Sequence, residues 1–274
     1  YGKMLFISTI PDWEYLVDWY LDLAKTKTRS SYEVQEVVAE LLAGKPDITD
    51  MAKIELIYNY ITENIRYSSV SFRQSGLIPQ KARDVLVQRI GDCKDVATLC
   101  ISMLKEAGIP AHYVLVNTFK EGLNKDILPA IEFNHAIAGV ETDQGLIYMD
   151  LTAQNYPIYS VPSGDRNAFA LSILPGTQAP HYLTPNYFSG RLSKRTSTVT
   201  LSEDNSAVIE RNTVKSGSAG ASLRNTYRFM GEEDRFDELA EDLSRDYPNL
   251  VMNAFTIEDV HVVDQELEYF YSFS

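Results

Sequence analysis

The chain has 274 residues, of which 45% are hydrophobic, so it is long enough to build two folded domains and is not a disordered chain. Its formal net charge of −13 argues against nonspecific binding to nucleic acid or to an anionic membrane surface, and it fits a neutral or basic peptide substrate better. No stretch approaches the ~20 apolar residues of a membrane span, and no signal peptide is visible.

The chain starts without an initiator methionine and stops inside a strand-like segment, so we expect it to be a piece of a larger protein. Its two cysteines leave the redox compartment undecided, and the expected location is the periplasm or the cell envelope. The sequence leaves the oligomeric state open.

Apolar residues at helical spacing predict that residues 11–44 form helices and that another helix spans residues 51–65. A helix that begins at Cys93, a strand and a hairpin follow. The loop at residues 118–132 either borders the substrate cleft or is an ordinary connection.

Residues 157–185 are rich in Pro, Gly, Ser and Thr, which predicts a covering segment followed by a linker. Beyond about residue 190, a hairpin, two helical stretches and two further strands indicate a separate α+β or β-rich accessory domain, left incomplete. We therefore divide the chain into a helical lead-in (1–48), a core (49–188) and this accessory domain (189–274).

Cys93 is predicted to occupy the first position of its helix. Asp92 is a good N-cap, and Asp95 completes a capping box. One apolar stripe along the helix indicates that one face is buried. The partial positive charge of the N-terminal tip favours a thiolate and offers backbone N–H groups to an oxyanion. Because Asp92 and Asp95 oppose the thiolate, a nearby imidazolium has to outweigh them.

Cys100 tests the alternative that the cysteines are structural. Seven helical residues separate it from Cys93, which places the two roughly 10 Å apart and beyond the reach of a disulfide. Cys100 also falls inside the apolar stripe, so we predict that it is a plain core residue.

The runs FNHAIAGV (133–140) and LIYMDLT (146–152) predict two strands joined by a short turn. Any ordinary antiparallel register places His135 opposite Asp150 or opposite Thr152, so His135 and Asp150 share a face of the hairpin. An acid beside imidazole fixes its tautomer and stabilises its charged form. Taken alone, the pair is also typical of an ordinary cross-strand contact. The ordered set of Cys93, His135 and Asp150 favours a nucleophilic triad instead.

The other histidines are weaker candidates. His112 is expected to be packed in a strand, His181 to lie in a Pro-rich loop, and His261 to lie in a distant acidic segment. The cysteines and histidines match none of the usual zinc spacings, and no nucleotide-binding motif is present, so we expect neither a metal nor a cofactor. The acidic run at residues 231–247 lacks the ligand spacing of a calcium loop and predicts the solvated face of a helix.

Four motifs in combination are specific: IRYSSV (65–70), GLIPQKARDVLVQRIGDCKDVATLCISMLKEAGIPAHYVLV (76–116), DILPAIEFNHAIAGV (126–140) and LIYMDLTA (146–153). Together they resemble the transglutaminase-like superfamily, in particular its bacterial branch described as candidate cysteine proteases. The resemblance covers roughly residues 50–175. The stretch ISTIPDWEYLVDWYLDLAK also resembles the segment that leads into the core in this branch, and its Trp13 and Trp19 are expected only to pack.

The resemblance implies an α+β, papain-like core in which the cysteine helix packs on an antiparallel sheet. It makes Cys93 the nucleophile, His135 the general base and acid, and Asp150 the orienting acid. A side chain upstream of the cysteine can assist as oxyanion donor in this superfamily. Tyr67, Gln74 and Gln88 are available in this chain, and Tyr67 is our choice.

These residues predict acyl transfer to water or to an amine through a thioester, which makes the protein a protease-like amide hydrolase or an acyl transferase. The expected partner is a protein or peptide substrate, without nucleic acid. The alternative is a noncatalytic binding or scaffold module that keeps the transglutaminase-like fold.

Overall fold

The computed structural model describes residues 5, 7–69, 76–118, 128–143, 145–184, 192–204, 206–263 and 265–274. By their contacts, the residues fall into two compact units. The first consists of residues 1–154 with 161–187, and the second of residues 155–160 with 188–274. The domain boundaries expected from the sequence stay predictions.

The described residues of the first unit form five helices. They are α1 (Trp13–Ala24), α2 (Tyr32–Leu42), α3 (Asp50–Asn64), α4 (Ala82–Gln88) and α5 (Cys93–Glu106). Asp12, Ser31 and Thr49 cap the first three helices, and each accepts a hydrogen bond from the backbone N–H three residues further on. These three helices were predicted from periodicity, whereas α4 is too short to give a periodic signal.

An antiparallel sheet of five strands forms the other layer of this unit. Its strands are β3 (Ala111–Asn117), β4 (His135–Thr142), β5 (Gly145–Met149), β6 (Phe169–Ser172) and β7 (His181–Tyr182), in the order β5-β4-β3-β6-β7. Two short parallel strands, β1 (Arg66–Tyr67) and β2 (Ile90–Gly91), pair separately ahead of α5. The predicted α+β class with a cysteine helix on an antiparallel sheet is confirmed.

The interpretation of residues 157–185 as a covering segment and linker was wrong. This stretch supplies β6 and β7, and β6 pairs with β3 in the middle of the sheet. The apolar run AFALSIL is buried from Ala168 to Ile173, because β3 is a central strand that needs a hydrogen-bonding neighbour on each side. His181 therefore lies in a strand and not in a loop.

Helix α5 is buried along its whole circumference from Lys94 to Leu104, and the prediction of a single buried face was wrong. Helices α2, α3 and α4 contact one side of α5, and strands β3 and β4 contact the other. A helix enclosed between two layers needs apolar or satisfied side chains all round. Thr98 meets this need by donating to the Lys94 carbonyl at 2.6 Å and by sharing a hydrogen bond of 2.7 Å with the Tyr113 hydroxyl.

The second unit is itself α+β. It contains β8 (Ser193–Leu201), β9 (Ala207–Lys215), α6 (Gly217–Tyr227), α7 (Glu232–Ser244), β10 (Met252–Ile257) and β11 (Leu267–Phe273). Its sheet has the order β10-β11-β9-β8 and is antiparallel. Leu239 and Leu243 of α7 pack against aromatic side chains of β11, which leaves most acids of α7 on its exposed face, as predicted.

Within the described ranges, no helix combines the length and the apolar character that a membrane crossing requires.

Candidate active site

Cys93 is the first residue of α5, and its side chain is half-buried. The Asp92 side chain accepts a hydrogen bond from the Asp95 backbone N–H, and the Asp95 side chain accepts one from the Asp92 backbone N–H, so the predicted capping box is confirmed. A Cβ added to Gly91 would lie 2.7 Å from the Asp95 Cβ, so the chain can approach the helix this closely only with glycine at that position. The run GDCKD thus places Cys93 at the start of a helix whose backbone position is tightly constrained.

The two acids beside Cys93 are compensated by partners that the sequence did not reveal. The Asp95 carboxylate accepts hydrogen bonds from the Gln80 backbone N–H at 2.7 Å and from the Gln80 Nε2 at 2.8 Å. Burial alone raises the pKa of Asp95, but these bonds outweigh it and lower the pKa overall. The Lys94 ammonium contacts the Asp92 carboxylate. Both negative charges are therefore held by other groups and oppose the Cys93 thiolate less than the sequence implied.

Replacing Gln80 with leucine is expected to destabilise the first unit by about 1–3 kcal/mol, because Asp95 loses a side-chain donor in a buried setting. The measurement is urea unfolding followed by tryptophan fluorescence, since both tryptophans, Trp13 and Trp19, lie in α1. Gln88→Leu is the matched control, since Gln88 is exposed at the end of α4. Equal losses in the two variants would contradict the assigned role of Gln80.

His135 and Asp150 meet across the β4–β5 hairpin. Ala138 pairs with Met149, and this register continues to place His135 opposite Thr152, which is one of the two predicted alternatives. Asp150 then lies diagonally from His135 on the same face. The His135 Nε2 is 3.2 Å from the Asp150 Oδ2. The Asp150 Oδ1 accepts hydrogen bonds from the Thr152 backbone N–H at 2.9 Å and from the Thr152 hydroxyl at 2.7 Å.

The electrostatics of this pair favour the charged forms of both partners. Burial lowers the pKa of His135, but hydrogen bonds to Asp150 and Cys93 outweigh it and raise the pKa to about 10. Burial raises the pKa of Asp150, but the hydrogen bond and charge of His135 lower it overall. The imidazole thus interacts with both Cys93 and Asp150, so the structure brings all three predicted residues together.

Asp165 joins this cluster, and sequence reasoning missed it. Each of His135, Asp150 and Asp165 has one atom that could bind a metal, and these three atoms lie within 4.8 Å of one another. The described part of the chain contains no second group of three such residues. Three ligand atoms at this spacing could bind one cation. The direct contact between the His135 Nε2 and the Asp150 Oδ2 instead has the geometry of a hydrogen-bonded cluster.

Tyr67 lies in β1, and its side chain is 38% exposed. Burial raises its pKa, and the charges of Cys93, Asp150 and Asp92 raise it further, which places Tyr67 within electrostatic range of the cluster. Gln88 is exposed at the end of α4, and Gln74 lies outside the described residues. The role of Tyr67 as an oxyanion donor stays a prediction.

The remaining cysteine and two of the remaining histidines are packed against other residues, and the third histidine is exposed. Cys100 is fully buried, and burial raises the pKa of its thiol, as expected of a core residue. His112 is also buried, and a Cβ on Gly139 would lie 2.7 Å from its Nε2, so the glycine makes room for the ring. Burial lowers the pKa of His112 to about 4. The His181 Nε2 lies 3.1 Å from the Tyr148 hydroxyl, and His261 is exposed.

Trp13 packs edge-on against Phe133 and Phe169 with ring centroids 6.4 and 5.9 Å away. Its neighbour in α1, Tyr20, packs against Tyr113 at 5.5 Å. Burial raises the pKa of Tyr20, and charge interactions with Tyr113 and Cys93 raise it further. Helix α1 thus packs close to the cysteine, and the expected packing role of Trp13 is confirmed.

The fold and the site together define an α+β protein of papain-like architecture, in which a cysteine at a helix start meets a histidine and an acid from a hairpin. Residues 35–151 match the model of the Transglutaminase-like superfamily. The resemblance seen in the sequence motifs is therefore confirmed.

The solved structures that are similar to this chain include two proteins of bacterial origin. A "putative protease" from Parabacteroides distasonis aligns with a TM-score of 0.50 at 17% identity, over 65% of this chain and 32% of that one. A "putative cysteine protease" from Cytophaga hutchinsonii aligns with a TM-score of 0.34 at 24% identity, over 48% of this chain and 42% of that one. The chain thus spans about a third of the Parabacteroides protein. None of the curated proteins compared with this sequence matches it.

Proposed function

We propose that this protein is a cysteine-dependent amide hydrolase or acyl transferase that acts through Cys93, His135 and Asp150. The observation that supports this best is the His135 ring, which is hydrogen-bonded to both Cys93 and Asp150 and whose pKa is raised to about 10. An imidazolium held beside a cysteine at a helix N-terminus favours the thiolate, the reactive form of the nucleophile.

In the first step, the Cys93 thiolate attacks an amide or ester carbonyl, and the electron pair of the carbonyl bond moves onto its oxygen. The developing oxyanion would be stabilised by the backbone N–H of Cys93 at the helix start and by the Tyr67 hydroxyl. The tetrahedral intermediate then collapses, and the bond to the leaving group breaks while the His135 imidazolium gives that group its proton. A thioester on Cys93 and a neutral imidazole remain.

The same histidine can then act as a base. Acylation removes the negative charge of the thiolate, and with it one of the interactions that raise the pKa of His135. The neutral imidazole accepts a proton from the incoming water or amine, which attacks the carbonyl carbon of the thioester. The bond between this carbon and the Cys93 sulfur then breaks, which releases the product and restores the thiolate and the imidazolium. Asp150 keeps the ring oriented in both steps, because its carboxylate stays hydrogen-bonded to the Nε2.

A protein or peptide is the proposed substrate. The net charge of −13 disfavours acidic peptides by long-range repulsion and favours neutral or basic ones. Water as acceptor makes the protein a hydrolase, and an amine makes it a transferase.

The test is to trap the acyl-enzyme. The protein is incubated with activated esters of short peptides and then analysed by intact and peptide mass spectrometry. We expect an acyl adduct on Cys93 that is absent from the Cys93→Ala variant. When a primary amine is added, we expect the released product to be a mixture of the free acid and the amide. If a range of neutral and basic peptide esters gives no adduct above that on Cys100, the enzyme proposal fails in favour of a noncatalytic module.

A further inference from the structure

Asp165 is a buried acid with an unusual environment. Asp165 is only 2% exposed, and its Oδ2 is buried without a hydrogen-bond partner in the part of the chain that the structure describes. One of its carboxyl oxygens lies within 4.8 Å of a ring nitrogen of His135 and of a carboxyl oxygen of Asp150. A second carboxyl group thus sits against the acid that orients the histidine.

The backbone holds Asp165 firmly in this place. Its N–H donates to the Pro162 carbonyl at 3.1 Å, and its carbonyl accepts from the Ala168 N–H at 3.1 Å. The flanking residues Val161 and Ala168 belong to the hydrophobic cluster behind the sheet, and β6 starts at Phe169. The backbone of Asp165 thus lies in a turn that is anchored in the core on both sides.

The charges in the cluster decide the form of Asp165. The charged and titratable groups that act on it are Asp150, which follows β5, and His135 of β4. If both acids were ionised, one imidazolium would face two buried carboxylates, one of which would have an oxygen without a donor. Burying an unpaired carboxylate is costly, and such groups instead take up a proton. A neutral acid removes the charge and can use its O–H to donate to the neighbouring carboxylate.

We propose that Asp165 is a positioning residue of the catalytic centre, a neutral carboxylic acid whose O–H donates a hydrogen bond to the Asp150 carboxylate. This inference rests on the proposed triad, since it assigns Asp165 the task of orienting Asp150 toward His135. The proton stays on Asp165 during the reaction, and no bond to the substrate is involved.

The electrostatics agree with this geometry. Burial and the charge of Asp150 raise the pKa of Asp165 to about 8. The negative charge of an ionised Asp165 is one of the interactions that raise the pKa of His135. A neutral Asp165 therefore keeps His135 less basic than two carboxylates would, which helps the ring give up its proton to a leaving group.

The first test measures the proton on Asp165 independently of any activity. Between about pH 4 and pH 8, native Asp165 holds a proton that the unfolded chain has lost, so the stability that this residue contributes is lost as the pH rises through this window. Asp165→Asn has no such proton. We expect the Tm of this variant, relative to wild type, to increase from pH 4 to pH 8 and to level off above, as followed by fluorescence of Trp13 and Trp19.

Asp95→Asn is the matched control, because Asp95 is equally buried but its pKa is lowered. Its Tm relative to wild type should fall, not rise, as the pH increases through about 4. A relative Tm of Asp165→Asn that is flat from pH 4 to pH 8, or that falls, would show that Asp165 is ionised and would overturn the proposal.

The second test concerns positioning. The alkylation rate of Cys93 at pH 7 should fall about tenfold in Asp165→Ala, which lacks the donor, and should be partly restored in Asp165→Asn, whose amide can donate to Asp150. Equal rates in Asp165→Ala and Asp165→Asn would overturn the positioning role. If wild-type Cys93 shows no enhanced reactivity, the proposed function fails, whereas the stability test still decides the protonation of Asp165.

Discussion

The His135→Ala variant is expected to lose about tenfold in the alkylation rate of Cys93 at pH 6. An isolated cysteine thiol has a pKa near 8.5, so only about 0.3% of it is thiolate at pH 6. In this protein, the imidazolium beside Cys93 stays charged far above that pH, since the pKa of His135 is raised to about 10. A stabilised thiolate is intrinsically less nucleophilic, which offsets part of the gain in thiolate and leaves about tenfold.

The measurement is iodoacetamide labelling across pH 5 to 9, with peptide mass spectrometry to separate the two cysteines. Cys100 is the internal reference, because it is fully buried and burial raises the pKa of its thiol. His112→Ala is the matched variant, since it also removes a buried histidine but one that packs over Gly139. We expect His112→Ala to keep the labelling profile of Cys93. Identical profiles for wild type and His135→Ala would rule out the ion pair.

The parts of the site that the sequence predicted correctly are governed by local rules. The capping box links Asp92 to Asp95, three residues apart, and this spacing identifies the helix start at Cys93. The hairpin turn allows only a few registers, and the two-residue period of a strand then puts His135 and Asp150 on one face. Such rules act over a few residues, so a single sequence is enough to apply them.

The parts that were missed depend on tertiary contacts. Gln80 binds Asp95 across 15 positions of the chain, and no periodic pattern indicates such a contact. Asp165 approaches Asp150 because β6 returns to pair with β3, and the short run that forms β6 was interpreted as part of a covering segment. Two buried carboxyl groups within 4.8 Å of each other are also improbable from charge alone, since like charges at this distance repel.

The Asp150→Ala variant is expected to lose about 3–5 kcal/mol of unfolding free energy, a large part of the stability of an ordinary domain. The substitution leaves His135 buried without its acid, and it leaves the Thr152 N–H and hydroxyl without the acceptor that they reach at 2.9 and 2.7 Å. Burial then dominates the surroundings of His135, so its pKa should fall well below that of the wild-type protein.

The pH dependence of this loss follows from the two pKa shifts. The raised pKa of His135 contributes stability that is complete below about pH 6.5 and disappears as the pH rises toward 10. The lowered pKa of Asp150 contributes stability above about pH 4 that disappears as the pH falls further. The difference between wild type and Asp150→Ala should therefore be largest between about pH 4 and 6.5. Urea unfolding monitored by circular dichroism measures it.

Asp204 offers a matched control for the local turn around Asp150. Its carboxylate accepts hydrogen bonds from the Ser206 N–H at 3.0 Å and from the Ser206 hydroxyl at 2.7 Å, which is the pattern that Asp150 makes with Thr152. Asp204 is exposed, and the described residues place no histidine in contact with it. Asp204→Ala should therefore have a minor effect, without a change between pH 6.5 and 10. If Asp150→Ala behaved in the same way, the turn and not the buried ion pair would account for the stability that Asp150 provides.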